Sequence, residues 1–149
     1  MKALTIQEPW ASLLVDLYKK FETRDWKLNY RGEMAIHSGK QSVHIEDYPL
    51  GLEELLDDLE ITQDELKLTK QKIIAIATLK EIYLMTEEFI EQQPYIERLT
   101  GVWEPGRYAW EFTNIKPLPQ PILARGLPGL WEVPSEIQQQ ISEQFKNRP

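Results

Sequence analysis

The sequence predicts a mixed α+β domain built on a small, partly open β-barrel with flanking helices and a C-terminal helix. Six or seven short β-type runs are separated by amphipathic helical segments, without the regular alternation of a parallel α/β sheet. Residues 71–83 carry apolar side chains on both faces, which is typical of a covered central strand. Near the end of the chain, Ile137, Ile141 and Phe145 recur at helical spacing and predict a docked helix.

The composition favours one domain over residues 1–149. Apolar residues make up 42% of the chain, which is enough for a core of ordinary size. The chain has no cysteine, so neither disulfides nor thiolate chemistry is expected. Its two histidines, His37 and His44, are too few for a histidine cluster. We therefore predict no metal and no cofactor.

No membrane or export segment is expected. Glu8, Pro9 and Asp16 interrupt the only apolar region near the N-terminus. No run approaches the roughly 18 apolar residues that cross a bilayer. The sequence therefore predicts a cytoplasmic protein with no membrane partner.

The net charge of −7 is concentrated in one segment. Residues 46–65 hold nine acids and no lysine or arginine, whereas residues 19–40 hold six bases and three acids. A local basic site is therefore compatible with the overall acidity. Strong non-specific binding to duplex nucleic acid is not expected, because such binding depends on a basic surface.

The first two elements are a strand and a helix. Residues 2–6 predict a strand, with alternate apolar side chains on one face. An apolar stripe at helical period then predicts a first helix from about residue 9 to residue 19. The stripe consists of Trp10, Leu13, Leu14, Leu17 and Tyr18. Its position in this stripe gives Trp10 a predicted core role.

Residues 17–37 gather cations and aromatic side chains more densely than any other stretch. If residues 21–26 form a strand, alternate side chains share one face. That face carries Glu22, Arg24 and Trp26, with Lys19 at its entrance. An acceptor, a planar set of donors and a stacking surface can together bind a polar planar molecule. A solvated ion pair beside a half-buried tryptophan is the alternative.

After a turn at residues 29–32, residues 33–38 predict a third strand. Met34 and Ile36 share one face, and Ala35 and His37 share the other. A histidine at such a strand end is either a hydrogen-bonded structural residue or part of a site, and both interpretations remain open.

An acidic helical insertion is predicted at about residues 41–70. Apolar residues at helical spacing, with acids on the opposite face, predict an amphipathic helix over residues 50–60. A capping-box pattern from Thr62 to Glu65 predicts a further short helix. The acidic face is either a solvated surface or a site for a basic protein partner.

The remaining elements follow the central strand of residues 71–83. Thr86 is placed to cap a helical segment that Pro94 interrupts before residues 95–99. Residues 107–115 predict a strand with Tyr108 and Trp110 on one face. An extended connection follows, and then short strands over residues 122–125 and 130–133. The connection is predicted from Pro117, Pro119 and Pro121.

Several motifs, taken together, resemble the ASCH domain family, a branch of the PUA-like superfamily. They are Ala3-Leu-Thr-Ile-Gln-Glu-Pro-Trp-Ala11, Lys19-x-x-Glu22-x-Arg24, Tyr30-Arg-Gly, Ile36-His37, Gly106-x-Tyr108-x-Trp110 and Gly129-Leu-Trp131-Glu-Val. The second motif is similar to the latter part of the family signature Gly-x-Lys-x-x-Glu-x-Arg. Leu17 stands in place of its glycine. If that position is left-handed, leucine is strained there.

The resemblance implies a PUA-like barrel with a cleft between the first helix and the barrel, bordered by the signature residues. It also implies binding of RNA or another nucleic acid. One branch of the family is an amidohydrolase that deacetylates N4-acetylcytidine with a lysine, a threonine and a glutamate. Lys19 matches that lysine, whereas Glu22 stands where the branch has threonine.

Three functional hypotheses follow. The first is binding of RNA or a nucleotide-like small molecule. Its predicted ligand-binding set is Lys19, Glu22, Arg24, Trp26, Arg31, His37, Tyr108 and Trp110. The second is an amidohydrolase acting on a modified nucleoside, with Lys19 as nucleophile or proton shuttle and Glu22 as acid or base. The third is a protein-interaction domain that uses the acidic helix.

Overall fold

The computed structural model describes residues 1–62, 64 and 69–146. Its strands are β1 (Lys2–Glu8), β2 (Phe21–Arg24), β3 (Gly32–Ser42), β4 (Lys72–Leu84), β5 (Tyr108–Leu123) and β6 (Leu130–Glu132). Its α-helices are α1 (Trp10–Val15), α2 (Leu52–Asp58), α3 (Glu87–Glu91), α4 (Tyr95–Leu99) and α5 (Ser135–Lys146). The predicted mixed α+β class is confirmed.

The strands form one sheet in the order β2-β5-β4-β3-β1-β6. β1 pairs with β3 in parallel, and the other pairs are antiparallel. Within the described ranges the pairing ends at β2 and β6, so hydrogen bonds do not close a barrel. The sheet nevertheless curls. Arg24 on β2 lies close enough to β1, near the other end of the sheet, to donate to the backbone carbonyl of Thr5 at 2.8 Å.

Alternation along the strands divides the core between the two faces of the sheet. Met34 and Ile36 on β3 join the main core, which also holds Trp110 and α1. Ala35 lies on the opposite face, where Ile141 of α5 is buried. The alternation predicted for this strand is therefore confirmed, as is the helix that docks through its apolar stripe.

Helix α1 ends at Val15, earlier than predicted, because the backbone turns out of the helix through a left-handed residue at Leu17. The Tyr18 amide donates to the Leu13 carbonyl at 3.0 Å, and the Leu17 amide to the Leu14 carbonyl at 3.2 Å. These two bonds form a Schellman motif, which requires a left-handed residue, and Leu17 has a φ of 70°. Leu17 is 72% exposed, so its predicted place in the apolar stripe is wrong.

The proline-rich connection predicted after residue 115 is instead the second half of β5. β2 pairs with β5 only from Tyr108 to Glu111, so residues 117–121 lie beyond that partner. The register with β4 also shifts between Ala75, opposite Pro117, and Ile73, opposite Ile122. Prolines are tolerated in a strand where a neighbour is missing or the ladder is interrupted.

Helix α2 has the predicted amphipathic character. Leu52 and Leu56 are buried in a cluster with Leu13 of α1, while the acids of α2 are exposed. The capping box predicted from Thr62 to Glu65 lies partly outside the described residues. No helix in the described part of the chain has both the length and the apolar content to cross a membrane.

Candidate functional site

A cleft of about 310 Å³ lies between β1, β2 and the segment after α4. Its walls are formed by Thr5, Gln7, Trp10, Glu22, Thr23, Arg24, Thr100, Gly101 and Val102. The wall therefore combines a carboxylate, a guanidinium, an indole and hydroxyl groups. Such a surface matches the hydrogen-bonding edge and the flat face of a polar heterocycle.

Strand β2 directs the two signature side chains into this cleft. Glu22 lies opposite Trp110 in the pairing with β5, and Arg24 lies opposite Tyr108. Because their positions differ by two, Glu22 and Arg24 share a face of the strand, as predicted. The strand ends at Arg24, two residues earlier than predicted.

Arg24 connects Glu22 to the first strand. Its Nη2 atom donates to Glu22 Oε2 at 2.9 Å and to the Thr5 carbonyl at 2.8 Å. Its Nε atom is buried and has no hydrogen-bond partner in the described part of the protein. Glu22 Oε1 accepts from the Thr23 amide at 3.2 Å. The pair is therefore held in place at the cleft wall, with a buried guanidinium donor that no described residue satisfies.

Lys19 lies behind the cleft wall and is only 4% exposed. Its Nζ atom donates to the carbonyl of Thr100, a residue that lines the cleft, and lies 6.0 Å from the Trp10 ring centre. Burial lowers the pKa of Lys19 from its ordinary value of 10.5, while the charges of Glu22 and Glu97 act in the opposite direction. A buried lysine of this kind loses its proton more readily than a solvated one.

Glu97 on α4 is the second carboxylate beside Lys19. It is 3% exposed, and its Oε2 atom accepts from the Lys20 amide at 2.7 Å. Its Oε1 atom is buried without a hydrogen-bond partner among the described residues. Burial is the largest influence on its pKa, which is raised above the ordinary carboxyl value. Sequence spacing gave no signal for this residue, because it lies far along the chain from Lys19.

Gly101 allows the segment after α4 to approach β2 closely. A Cβ atom at this position would lie 2.8 Å from Thr23 Cγ2. The Val102 amide donates to Thr23 Oγ1 at 3.0 Å and fixes the approach. This wall of the cleft was not predicted, because the sequence offers only an isolated glycine after a short helix.

His37 belongs to a different cavity, which adjoins the cleft and shares Thr5 and Arg24 with it. The ring is 1% exposed, and burial lowers its pKa below the ordinary 6.5. In the neutral ring, Nε2 donates to the Ala124 carbonyl at 2.7 Å and Nδ1 accepts from the Thr5 hydroxyl at 3.1 Å. His37 is therefore a hydrogen-bonded residue that also lines a cavity, and its place in a ligand site stays a prediction.

The structure places the remaining predicted ligand residues away from the cleft. Trp110 is fully buried, and Trp26 packs against it edge to face at 4.8 Å between ring centres. Tyr108 packs against the same core. Arg31 donates to Glu81 at the surface, with Nη2 to Oε1 at 2.7 Å. Trp10, predicted to have a core role, instead contributes to both the core and the cleft wall.

The model of one protein family, described as the ASCH domain, matches residues 4–122. This range contains every residue that lines the cleft, together with Lys19 and Glu97. No protein with a curated description matches the sequence. Since the match covers well over half of the 149 residues, the chain belongs to the ASCH domain family.

Proposed function

We propose that this protein binds single-stranded RNA and holds one unpaired base in the cleft. ASCH domains are generally thought to bind RNA. For this chain the proposal rests on one observation. Glu22, Arg24 and Trp10 all line the same cleft, which has a volume of about 310 Å³. RNA is usually read through such unstacked bases, which offer both a flat face and a polar edge.

The cleft favours a base with an exocyclic amine. Glu22 supplies carboxylate oxygens that accept from an amine, and the guanidinium of Arg24, whose side chain is 24% exposed and lines the cleft, supplies a donor for a neighbouring ring nitrogen or carbonyl. The Trp10 ring offers an apolar surface for the face of the base. Cytosine and adenine present an amine beside an acceptor, so they match this pattern better than uracil does.

The charge distribution favours a single strand over a duplex. The chain carries a net charge of −7, which opposes the extended phosphate contacts that duplex binding requires. The segment after α4 forms one side of the cleft, whose volume of about 310 Å³ suits one unpaired base better than a base pair.

The test is a titration of short labelled RNAs that differ only in base, followed by fluorescence anisotropy at low salt. We expect saturable binding that is tighter for cytosine and adenine than for uracil. Glu22→Gln removes the carboxylate and is expected to reduce this preference about tenfold. Glu33→Gln, at an exposed strand position, is the matched control. Absence of saturable binding by the unaltered protein would refute the proposal.

A second candidate, deacetylation of a modified nucleoside, draws support from the surroundings of Lys19. The buried amine has a lowered pKa and lies beside Glu22 and Glu97, which are groups suited to nucleophilic or proton-transfer chemistry. Thr100, whose carbonyl accepts from Lys19, lines the cleft. Incubation with N4-acetylcytidine should then yield cytidine, and Lys19→Met should abolish the reaction. Activity that survives this substitution would remove the role of Lys19.

A further inference from the structure

We propose that the second cavity, beside the cleft, binds a phosphate group of the ligand whose base occupies the cleft. This proposal rests on the proposed function and adds a phosphate site to it. The cavity has a volume of about 560 Å³. Its walls are formed by Thr5, Arg24, His37, Lys40, Gln71, Arg125 and residues 126–129.

The cavity wall is cationic in a protein that is acidic as a whole. Arg24, Lys40 and Arg125 are the cationic residues of its wall, and no carboxylate lines the cavity among the residues that the structure describes. Lys40 and Arg125 are exposed and have no ion-pair partner within the described part of the chain. By contrast, Arg24 is paired with Glu22 and Arg31 with Glu81. Uncompensated cations around a concave surface favour an anion there.

The cavity lies next to the cleft, so an anion bound in it would be close to a base bound in the cleft. Thr5 and Arg24 line both the cavity and the cleft, so the two spaces meet at these residues. A nucleotide joins a flat polar base to a phosphate through one sugar, which matches two adjoining spaces of this chemistry. A free nucleoside would fill only the cleft.

The loop between β5 and β6 forms one side of the cavity and packs closely against His37 and Thr5. A Cβ atom at Gly126 would lie 2.7 Å from both His37 Cε1 and Thr5 Oγ1, so only glycine allows this approach. Trp131 Nε1 also donates to Thr5 Oγ1 at 3.0 Å. Because these bonds hold a neutral His37 in place, the uncompensated positive charge of the cavity comes from Lys40 and Arg125.

The experiment compares cytidine with cytidine 5′-monophosphate by isothermal titration calorimetry. We expect the unaltered protein to bind the monophosphate about tenfold more tightly, as befits a few solvent-accessible charge contacts. The double variant Lys40→Gln/Arg125→Gln should lose this advantage and keep its affinity for cytidine. Lys80→Gln, at an exposed position of β4, is the matched control.

A second measurement uses a pentamer of cytidylate and the salt dependence of its binding. In the double variant, the slope of log K against log salt should fall by about 0.7 for each phosphate contact removed. Equal affinity for cytidine and its monophosphate, together with an unchanged slope, would overturn the phosphate site while leaving base binding intact. If the unaltered protein bound none of the three ligands, cytidine, its monophosphate or the pentamer, the proposed function would be refuted, and this inference with it.

Discussion

At the scale of single residues, the site contains ionisable side chains whose burial costs folding free energy. Lys19, Glu97 and His37 are ionisable groups that have each lost most of their contact with water. Burial disfavours the charged form of each group, which is why the pKa values of Lys19 and His37 fall and that of Glu97 rises. Lys19 and Glu97 lie side by side, and ionisable groups with perturbed pKa values are more frequent at functional sites than elsewhere.

Replacement of Leu17 tests the strain at the end of α1. Leu17 adopts a left-handed conformation that glycine adopts without penalty, and its exposed side chain contributes little burial. Leu17→Gly should therefore raise the free energy of unfolding by about 1 kcal/mol, measured by urea denaturation. Leu17→Ala retains a Cβ atom and should give no comparable gain. A loss of stability in the glycine variant would contradict the assignment.

Titration of His37 should be visible in the pH dependence of stability. Its folded pKa lies below the unfolded value near 6.5, so between these values the unfolded chain binds more protons. The free energy of unfolding should therefore fall as the pH drops from about 6.5 through the folded pKa.

The measurement compares urea denaturation of the unaltered protein and His37→Gln between about pH 5 and 7. Glu8 and Glu97, whose pKa values are raised, are present in both proteins, so their contributions cancel in the comparison. The variant should show a smaller loss on acidification. An NMR titration that places the His37 ring pKa above 6.5 would contradict the prediction.

At the scale of elements, local sequence patterns predicted most helices and strands but not their ends. β4 and α5 follow directly from apolar periodicity, and Thr86 caps α3 as expected, accepting from the Phe89 amide at 3.1 Å. The errors at α1 and β5 share a cause. Hydrogen bonding at Leu17 overrode the local preference of leucine. Pairing of β4 with Pro117 and with Ile122, on the two sides of the interrupted ladder, kept the prolines within β5.

Helix α5 should be an integral part of the fold although it lies beyond the family match at residues 4–122. Ile141 is 1% exposed and packs with the core on that face of the sheet. Ile141→Ala should lower the free energy of unfolding by about 2–4 kcal/mol, measured by thermal or urea denaturation. The exposed Gln140→Ala is the control and should change little. Equal stabilities would show that α5 is dispensable.

At the scale of the whole molecule, the site is assembled from segments that are distant in sequence. The signature placed Glu22 and Arg24 on one face, but no pattern linked them to Gly101 or to Arg125. Gly101 and Arg125 come to line the same cavities as Arg24 only because the sheet curls and the loops pack against it. The sequence therefore predicted the part of the site carried by one strand and missed the parts brought by tertiary packing.

The acidic face of α2 should influence RNA binding only through long-range charge. Neutralising Glu53, Glu54, Asp57 and Asp58 as amides changes the net charge from −7 to −3. At low salt the association rate with RNA should rise, and the gain should vanish at high salt, while the dissociation rate stays constant. Stopped-flow fluorescence measures both rates.

A changed dissociation rate in that variant would place α2 in contact with the RNA. The same variant addresses the remaining hypothesis, in which the acidic helix binds a basic protein. Loss of such a partner with RNA binding retained would assign the two surfaces to separate functions.

The prolines in the second half of β5 also disfavour pairing of this segment with a strand of another molecule. A strand that lacks a neighbour is a template on which another chain can extend the sheet. Pro117, Pro119 and Pro121 have no amide hydrogen to offer such a chain. Successive residues of a strand direct their backbone groups to opposite edges. Pro119 and Pro121 therefore face one edge, and the side chain of Gln144 binds the backbone of Gln120 at the other, with bonds of 3.0 and 2.8 Å. This part of β5 thus offers few free amides to a strand of another molecule.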